Sequence, residues 1–305
     1  MSAFFMYDEI IKDGDMMMEQ NIYPEEFGYH FSFKNFEKIY RQTISAFKKQ
    51  MTLEDFVEAA ADFEEGTEQF NLKHQSQLEP GVKRYCWVDG KTERMIVTAF
   101  NNEGEIIGVQ FDIYEKFKTD RELTINRYQL PFTEEWFVLW GGTNNFVNYH
   151  YPHRHQRYAY DFIRKKDGRA HDGDPETLKS YYAFNSPVSA PRAGTVVRIL
   201  DGIPDNEPLK MNLDAPEGNA IIIEHDNNEY SLLAHLRNNS ILVEVGDMVE
   251  TGEMIAQCGN SGASDMPHLH FHVMNDIEPH EADSIRIQFA AGREPVQGET
   301  VKGRR

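Results

Sequence analysis

From residue 136 onward the chain is a succession of short strand-like runs cut by glycine and proline, a pattern that leaves few architectures open. Runs at residues 136–140, 186–200, 219–225, 230–236, 254–258 and 268–274 carry the β-branched and aromatic side chains that suit a pleated surface. Short strands at this spacing predict an all-β unit, an antiparallel sandwich or barrel. There is no internal repeat and no low-complexity tract.

The earlier part of the chain reads differently. Phe33, Phe36, Ile39, Tyr40, Thr43 and Phe47 recur at three- and four-residue steps, which predicts one amphipathic helix. Thr52-Leu53-Glu54-Asp55 opens a second in the manner of a capping box; it carries Phe56, Ala59, Ala60 and Phe63 and stops near Gly66. Strand-like runs follow at 82–88, 94–100 and 105–113, separated by Asp89-Gly90 and Asn101-Asn102-Glu103-Gly104, both hairpin signals. Two helices against an antiparallel meander make a small α+β domain. It gathers no titratable groups at catalytic spacing, so a positioning or inhibitory role is expected of it. With the polar stretch 116–124 as boundary, the expected division is an α+β domain over residues 1–120, an all-β domain over 130–290 and a C-terminal tail over 291–305.

Charge removes several functions. The formal net charge is −19 and no Lys/Arg cluster stands out, whereas a nucleic-acid binder needs a basic surface to displace counterions. The same charge disfavours simple adhesion to anionic membranes or wall polymers. No stretch approaches the ~18 apolar residues of a membrane span. The two cysteines, Cys86 and Cys258, have no partners at metal-type spacing and are expected to be free, buried thiols.

Histidine is the informative residue. His30, His74, His171 and His280 lie in polar contexts and are expected in solvent, and His225 ends a strand-like run. Met266-Pro267-His268-Leu269-His270-Phe271-His272 is different. Side chains two apart on a strand share a face, so His268, His270 and His272 stand on one side and Leu269, Phe271 and Val273 on the other. Imidazoles converging from a rigid strand suit zinc, which prefers histidine nitrogen and carboxylate oxygen.

The context of that run resembles the lysostaphin-type (LytM-like) zinc endopeptidases. The carrying residues are Gly252-Glu253-Met254-Ile255-Ala256-Gln257-Cys258-Gly259-Asn260-Ser261-Gly262, then Pro267-His268-Leu269-His270-Phe271. Upstream, Ser186-Pro187-Val188-Ser189-Ala190-Pro191, Gly218-Asn219-Ala220-Ile221-Ile222-Ile223-Glu224-His225 and Tyr230-Ser231-Leu232-Leu233-Ala234-His235-Leu236 follow in the family's order. The resemblance covers roughly half the chain. It implies a barrel-sandwich hybrid fold and one Zn²⁺ per chain, held by His150, Asp161 and His270 with a water completing the tetrahedron. It also implies two further histidines, His235 and His268, one serving as general base and the other as donor to the oxyanion.

One departure bears on that ligand set. The commonest form of the family has a histidine four residues before the aspartate, and Arg157 stands there in this chain. His150 is the favoured substitute because Asn148-Tyr149-His150 looks like a subgroup variant with a longer connection; His153 and His155 are the alternatives. Tyr149, Tyr151, Tyr158, Tyr160, Tyr181 and Tyr182 can line a peptide groove, although sheet packing accounts for most such tyrosines, and Tyr158 and Tyr160 are expected to face away from the metal.

The implied activity is hydrolysis of peptide bonds in peptidoglycan stem peptides or cross-bridges. The rival is a catalytically inactive relative acting as scaffold or activator in cell-wall remodelling. A biotinyl- or lipoyl-type carrier is excluded, since no lysine falls between Met211 and Val301. Residues 1–18 show neither the basic nor the apolar region of a signal peptide, so the chain as it stands reads as cytoplasmic, while the resemblance implies work outside the cytoplasm or at the wall.

Overall fold

A computed structural model describes residues 21–303 and shows a mostly β protein with few helices and several antiparallel sheets. The leader reading of residues 1–18 lies outside the described residues. Among the described residues, no helix is long and apolar enough to cross a membrane.

Four α-helices come first: α1 (Phe27–Ser32), α2 (Phe36–Arg41), α3 (Ser45–Gln50) and α4 (Leu53–Glu64). The periodic run expected as one helix is therefore two. It breaks where the backbone of residues 42–44 bonds elsewhere: Ile44 N–H donates to Ile106 O and Ile106 N–H to Gln42 O, both at 3.0 Å. Those groups cannot also serve a helical ladder. Helix α4 begins as expected, with the Thr52 hydroxyl accepting from Asp55 N–H at 3.2 Å, and Gly66 follows its end at φ +80°.

A four-stranded antiparallel meander follows, β1 (Phe70–Glu79), β2 (Val82–Asp89), β3 (Arg94–Asn101) and β4 (Ile106–Ile113), paired in that order. Strand β1 is an addition to the three expected. It is an edge strand, exposed along most of its length, so its sequence shows no apolar alternation. The alternation of β2 and β3 sorts the sheet into two faces. Tyr85, Trp87, Ile96 and Phe100 pack with Phe27, Phe31 and Phe56 of the helices. Cys86, Met95 and Val97 point the other way and pack with Tyr114, Phe146 and Val147.

The turn after β2 is built on Asp89, whose side chain is fully buried. One oxygen accepts from the backbone N–H of Glu68 and Gln69, the other from Lys91 N–H and from the N–H and hydroxyl of Thr92. Burial pushes this carboxyl up, but the hydrogen bonds outweigh it and bring it from 3.8 down to about 2. A carboxyl depressed in the folded state stabilises above its unfolded value and loses that contribution as pH falls through the folded one. Asp89→Asn is thus expected to cost on the order of 2 kcal/mol at neutral pH, with the difference from wild type shrinking between about pH 4 and pH 2. Urea unfolding of both proteins at pH 7 and near pH 2 checks this; a difference independent of pH would refute it.

The remaining strands are β5 (Leu123–Tyr128), β6 (Glu135–Trp140), β7 (Tyr160–Ile163), β8 (Pro187–Ser189), β9 (Gly194–Leu200), β10 (Asn219–His225), β11 (Glu229–Leu236), β12 (Met248–Val249), β13 (Met254–Gln257), β14 (Leu269–Met274), β15 (Ser284–Phe289) and β16 (Thr300–Lys302). The large sheet runs β12-β9-β10-β11-β14-β7-β6-β16, with β15 joined to β14 and β5 to β15. β8 and β13 form a separate pair. Val188, Ala190, Ile255 and Ala256 from that pair and its flanks meet Ile221, Ile223, Leu233, Leu269, Phe271 and Val273 of the large sheet in one core.

Two strands lie outside the bounds expected for the antiparallel unit. The first, β5, ahead of residue 130, runs parallel to β15. Buried Glu229 holds β5 there, accepting from the N–H groups of Ile125 and Asn126 and from the Tyr128 hydroxyl. The second, β16, falls in the stretch expected as a C-terminal tail: it pairs antiparallel with β6, setting Val301 opposite Trp136 and burying it. A three-residue strand carries too little pattern to be read from sequence.

Candidate metal centre

Strand pairing brings two of the three expected ligands together. β14 lies between β11 and β7, with His270 opposite Ala234 on one side and Asp161 on the other. Alternation along β14 puts Leu269, Phe271 and Val273 into the main core and leaves His270 and His272 on the opposite face. His270 Nδ1 lies 2.9 Å from Asp161 Oδ1.

His150 arrives from the loop between β6 and β7. Asn148 organises that loop from within, its side-chain amide donating to Gly142 O, Arg157 O and Ala159 O, each at 3.1 Å. The Asn148 Oδ1 accepts from His150 N–H at 3.1 Å. This places His150 Nε2 3.1 Å from Asp161 Oδ2. One ligand atom from each of His150, Asp161 and His270 lies within 4.8 Å of the others, and all three residues are buried. His153 is exposed and His155 half-buried against His280; neither joins this group. Arg157 turns away, its guanidinium 3.4 Å from the Phe117 ring centre and bonded to Thr119 Oγ1.

His235 and His268 stand beside the group. Their rings are 4.6 Å apart centre to centre, and His235 is 5.7 Å from His270. Each has Nδ1 against a backbone carbonyl, His235 on Ser261 O at 2.9 Å and His268 on Met266 O at 2.8 Å. A carbonyl oxygen only accepts, so both Nδ1 atoms carry a proton. His268 Nε2 is buried without a hydrogen-bond partner, 3.7 Å from Asp161 Oδ1. His235 holds its position at φ +60°, a conformation costly for a residue with a Cβ and common at functional sites.

The protonation pattern suits ligation. Burial, reinforced by neighbouring imidazoles, holds His235 and His272 well below the usual histidine range, and burial also lowers His270. Burial alone would raise Asp161, but the adjacent His150 and His268, with hydrogen bonds from His150 and His270, drive it well below the usual carboxylate range. An ionised carboxylate beside a His270 whose basicity burial has lowered is a state a cation can use in its ligands.

Two participants escaped the sequence reading. The Tyr149 hydroxyl donates to Asp161 Oδ2 at 3.2 Å, and its ring lies 3.9 Å from that of His150. Its place beside His150 was the available signal, but a loop has no period from which to read a side chain's direction. His272, expected further along the face without a role, has Nδ1 2.9 Å from His270 Nε2. Of the other tyrosines, Tyr151 and Tyr158 bond Asp120 and Tyr160 bonds Glu294, all away from the group. His74, expected in solvent, is half-buried and bonded to the Tyr114 hydroxyl at 3.0 Å. Cys86 and Cys258 are free and buried as expected, and burial pushes both thiols up, Cys86 to about 12. The histidine group opens onto a cavity of about 300 Å³ whose lining includes Tyr149, Met211 and Glu217.

Comparison with known proteins gives this geometry a context. The family model described as peptidase family M23 matches residues 178–282. That segment contains His235, His268 and His270, while His150 and Asp161 lie upstream of it. An uncharacterized metalloprotease of Buchnera aphidicola subsp. Baizongia pistaciae is 36% identical over 90 residues, 30% of this chain and 21% of the relative. Peptidoglycan DD-endopeptidase ShyB of Vibrio cholerae is 31% identical over 107 residues, 35% of this chain and 23% of the relative. The chain thus spans less than a quarter of the length of these curated relatives. Among solved structures, the catalytic domain of lysostaphin from Staphylococcus simulans aligns at TM-score 0.29 and 20% identity, covering 50% of this chain and 88% of that one.

Proposed function

We propose that this chain is a zinc-dependent endopeptidase that hydrolyses peptide bonds in peptidoglycan stem peptides or cross-bridges. The carrying observation is the buried group of His150, Asp161 and His270, with ligand atoms within 4.8 Å of one another. Two nitrogens and one carboxylate oxygen are a donor set that zinc accepts in catalytic sites. The ion-pair partners of Asp161 among the described residues are His150, His268 and His270, with no lysine or arginine. A buried carboxylate without a permanent cation beside it fits a place made for one. The M23 match and the endopeptidase named among the relatives support peptide hydrolysis and the wall substrate. A peptidoglycan substrate puts the site of action outside the cytoplasm.

When bound, zinc would supply Lewis acidity toward the scissile carbonyl and toward water. The protein's own groups do the rest. His235 lines the cavity and His268 lies buried beside it, each with Nδ1 fixed on a carbonyl; through Nε2, one takes a proton from the attacking water while the other, protonated from solvent beforehand, donates to the oxyanion. Tyr149 and His272 orient Asp161 and His270 through the bonds described above. The rival, an inactive scaffold, would be expected to lack part of this set. In this reading the helices and first sheet form an α+β domain over residues 1–120, and residues 130–290 the peptidase domain.

Zinc content of the purified protein tests the proposal. Wild type is expected to carry about one zinc per chain, lost in His150→Ala and in His270→Ala but kept in His153→Ala. Loss in His270→Ala alone would remove His150 from the ligand set. A wild type that takes up no zinc when it is supplied would overturn the peptidase reading.

A further inference from the structure

We propose that the N-terminal sheet is a positioning element of the metal centre, holding in place the loop that delivers His150. This rests on the metal-centre reading above and assigns that reading's first domain a task.

Asp161 and His270 stand on paired strands, so the sheet itself fixes their separation. His150 has no such support. Its loop leaves the large sheet after Trp140 and rejoins it at Tyr160, and on the way its apolar side chains enter a different core. Phe146 and Val147, 1% and 3% exposed, pack against Cys86, Met95 and Val97 on the face of the first sheet that the helices leave bare. Arg84 of β2 lies 4.7 Å from the Phe146 ring centre.

Polar tethers follow the same path. The Asn145 amide donates to Asp112 Oδ2 at 3.1 Å and to Ile113 O at 3.0 Å, at the end of β4. Asn144 reaches His74 Nε2 of β1 at 3.3 Å, and its Oδ1 accepts from the N–H groups of Phe146 and Val147. Asn148 N–H then donates to Asn144 O at 3.0 Å, which passes the placement on to the residue that orients His150. Among the described residues the first part of the ligand loop, 144–147, is thus anchored to the first sheet, while Tyr151, Arg157 and Tyr158 tie its later part to residues 117–120.

Ligation is sensitive to such support. A ligand displaced by a fraction of an ångström loses coordination, and removal of an orienting partner typically costs ten- to hundred-fold in metal affinity. The anchor therefore reads out in zinc affinity, separately from stability.

The experiment uses the full chain and zinc alone, with affinity measured by competition against a chromophoric chelator and Tm measured on the metal-free protein. Phe146→Ala, which empties the contact, is expected to weaken zinc binding about ten-fold or more. Phe100→Ala deletes a comparably buried ring on the helix-facing side of the same sheet. It is expected to lower Tm while leaving zinc affinity within about two-fold, and Phe146→Leu to recover most of the binding. If Phe146→Ala does not fold, Asn145→Ala carries the test, because it cuts the tethers to Asp112 and Ile113 without opening a cavity; a loss of several-fold is expected. Zinc affinity unchanged in both loop variants, or weakened as much by Phe100→Ala as by Phe146→Ala, overturns the inference. A wild type that binds no zinc overturns the metal reading and this inference together, whereas a zinc-binding wild type with indifferent variants overturns this inference alone.

Discussion

Asp161→Ala is expected to bind no zinc and to show no hydrolysis above background, a loss of roughly a thousand-fold or more. The size follows from what is removed. A catalytic cation supplies several kcal/mol of transition-state stabilisation, and each 1.36 kcal/mol is a factor of ten. Asp161 is the hub of the site, since His150, His270 and Tyr149 all place a donor on its oxygens. Without the carboxylate, the imidazoles have no anion to complete the donor set. Asp161→Asn, nearly the same size, separates charge from shape and is expected to fail as completely. Metal analysis together with peptide release from peptidoglycan checks both, with circular dichroism confirming that the fold persists. Zinc retained at the wild-type level would exclude Asp161 as a ligand.

The second large effect has the opposite metal signature. Loss of the imidazole at 235 or 268 is expected to lower kcat by about 10²–10⁴ while zinc content stays at the wild-type level. The choice of substitution matters at 235, where φ is +60°. Asparagine tolerates that backbone better than alanine, so His235→Asn removes the imidazole with the least strain, and His268→Ala serves at 268. The double variant is expected to lose much less than the product of the single losses, because groups acting in one step are not additive. Either variant retaining wild-type kcat would remove that histidine from the chemistry.

What the sequence revealed, and where it fell silent, follows from how local the cause is. The faces of β14 were legible from residues 268–274 because alternation belongs to the strand itself, and Leu269, Phe271 and Val273 lie in the core as alternation requires. The start of α4 was legible because Thr52 and Asp55 are three residues apart and interact directly. The break between α2 and α3 was not, because its cause is Ile106, some sixty residues away. Strand β1 was hidden by its own exposure, and β16 by its shortness.

The site divides along the same line. Which of three nearby histidines approaches Asp161 could not be read from spacing, since the answer lies in three carbonyls that Asn148 gathers from residues 142, 157 and 159. The Asn-x-His sequence pointed to the residue without showing why. Arg157 carried the reverse lesson. Its position suggested a lost ligand, and only the stacking on Phe117 shows it packed on the stretch 116–124 instead.

The packing of Phe146 and Val147 against the first sheet bears on descent. A ligand four residues from its partner travels with the strand that carries both, so such a cassette can be shuffled between proteins intact. Here the support of His150, the ligand proposed above, is encoded more than thirty residues upstream, in Arg84, Cys86, Met95 and Val97. Exchange of one half alone would therefore separate His150 from its support. A chimera joining residues 122–303 to an unrelated N-terminal partner would keep every ligand yet lack the surface that seats one of them.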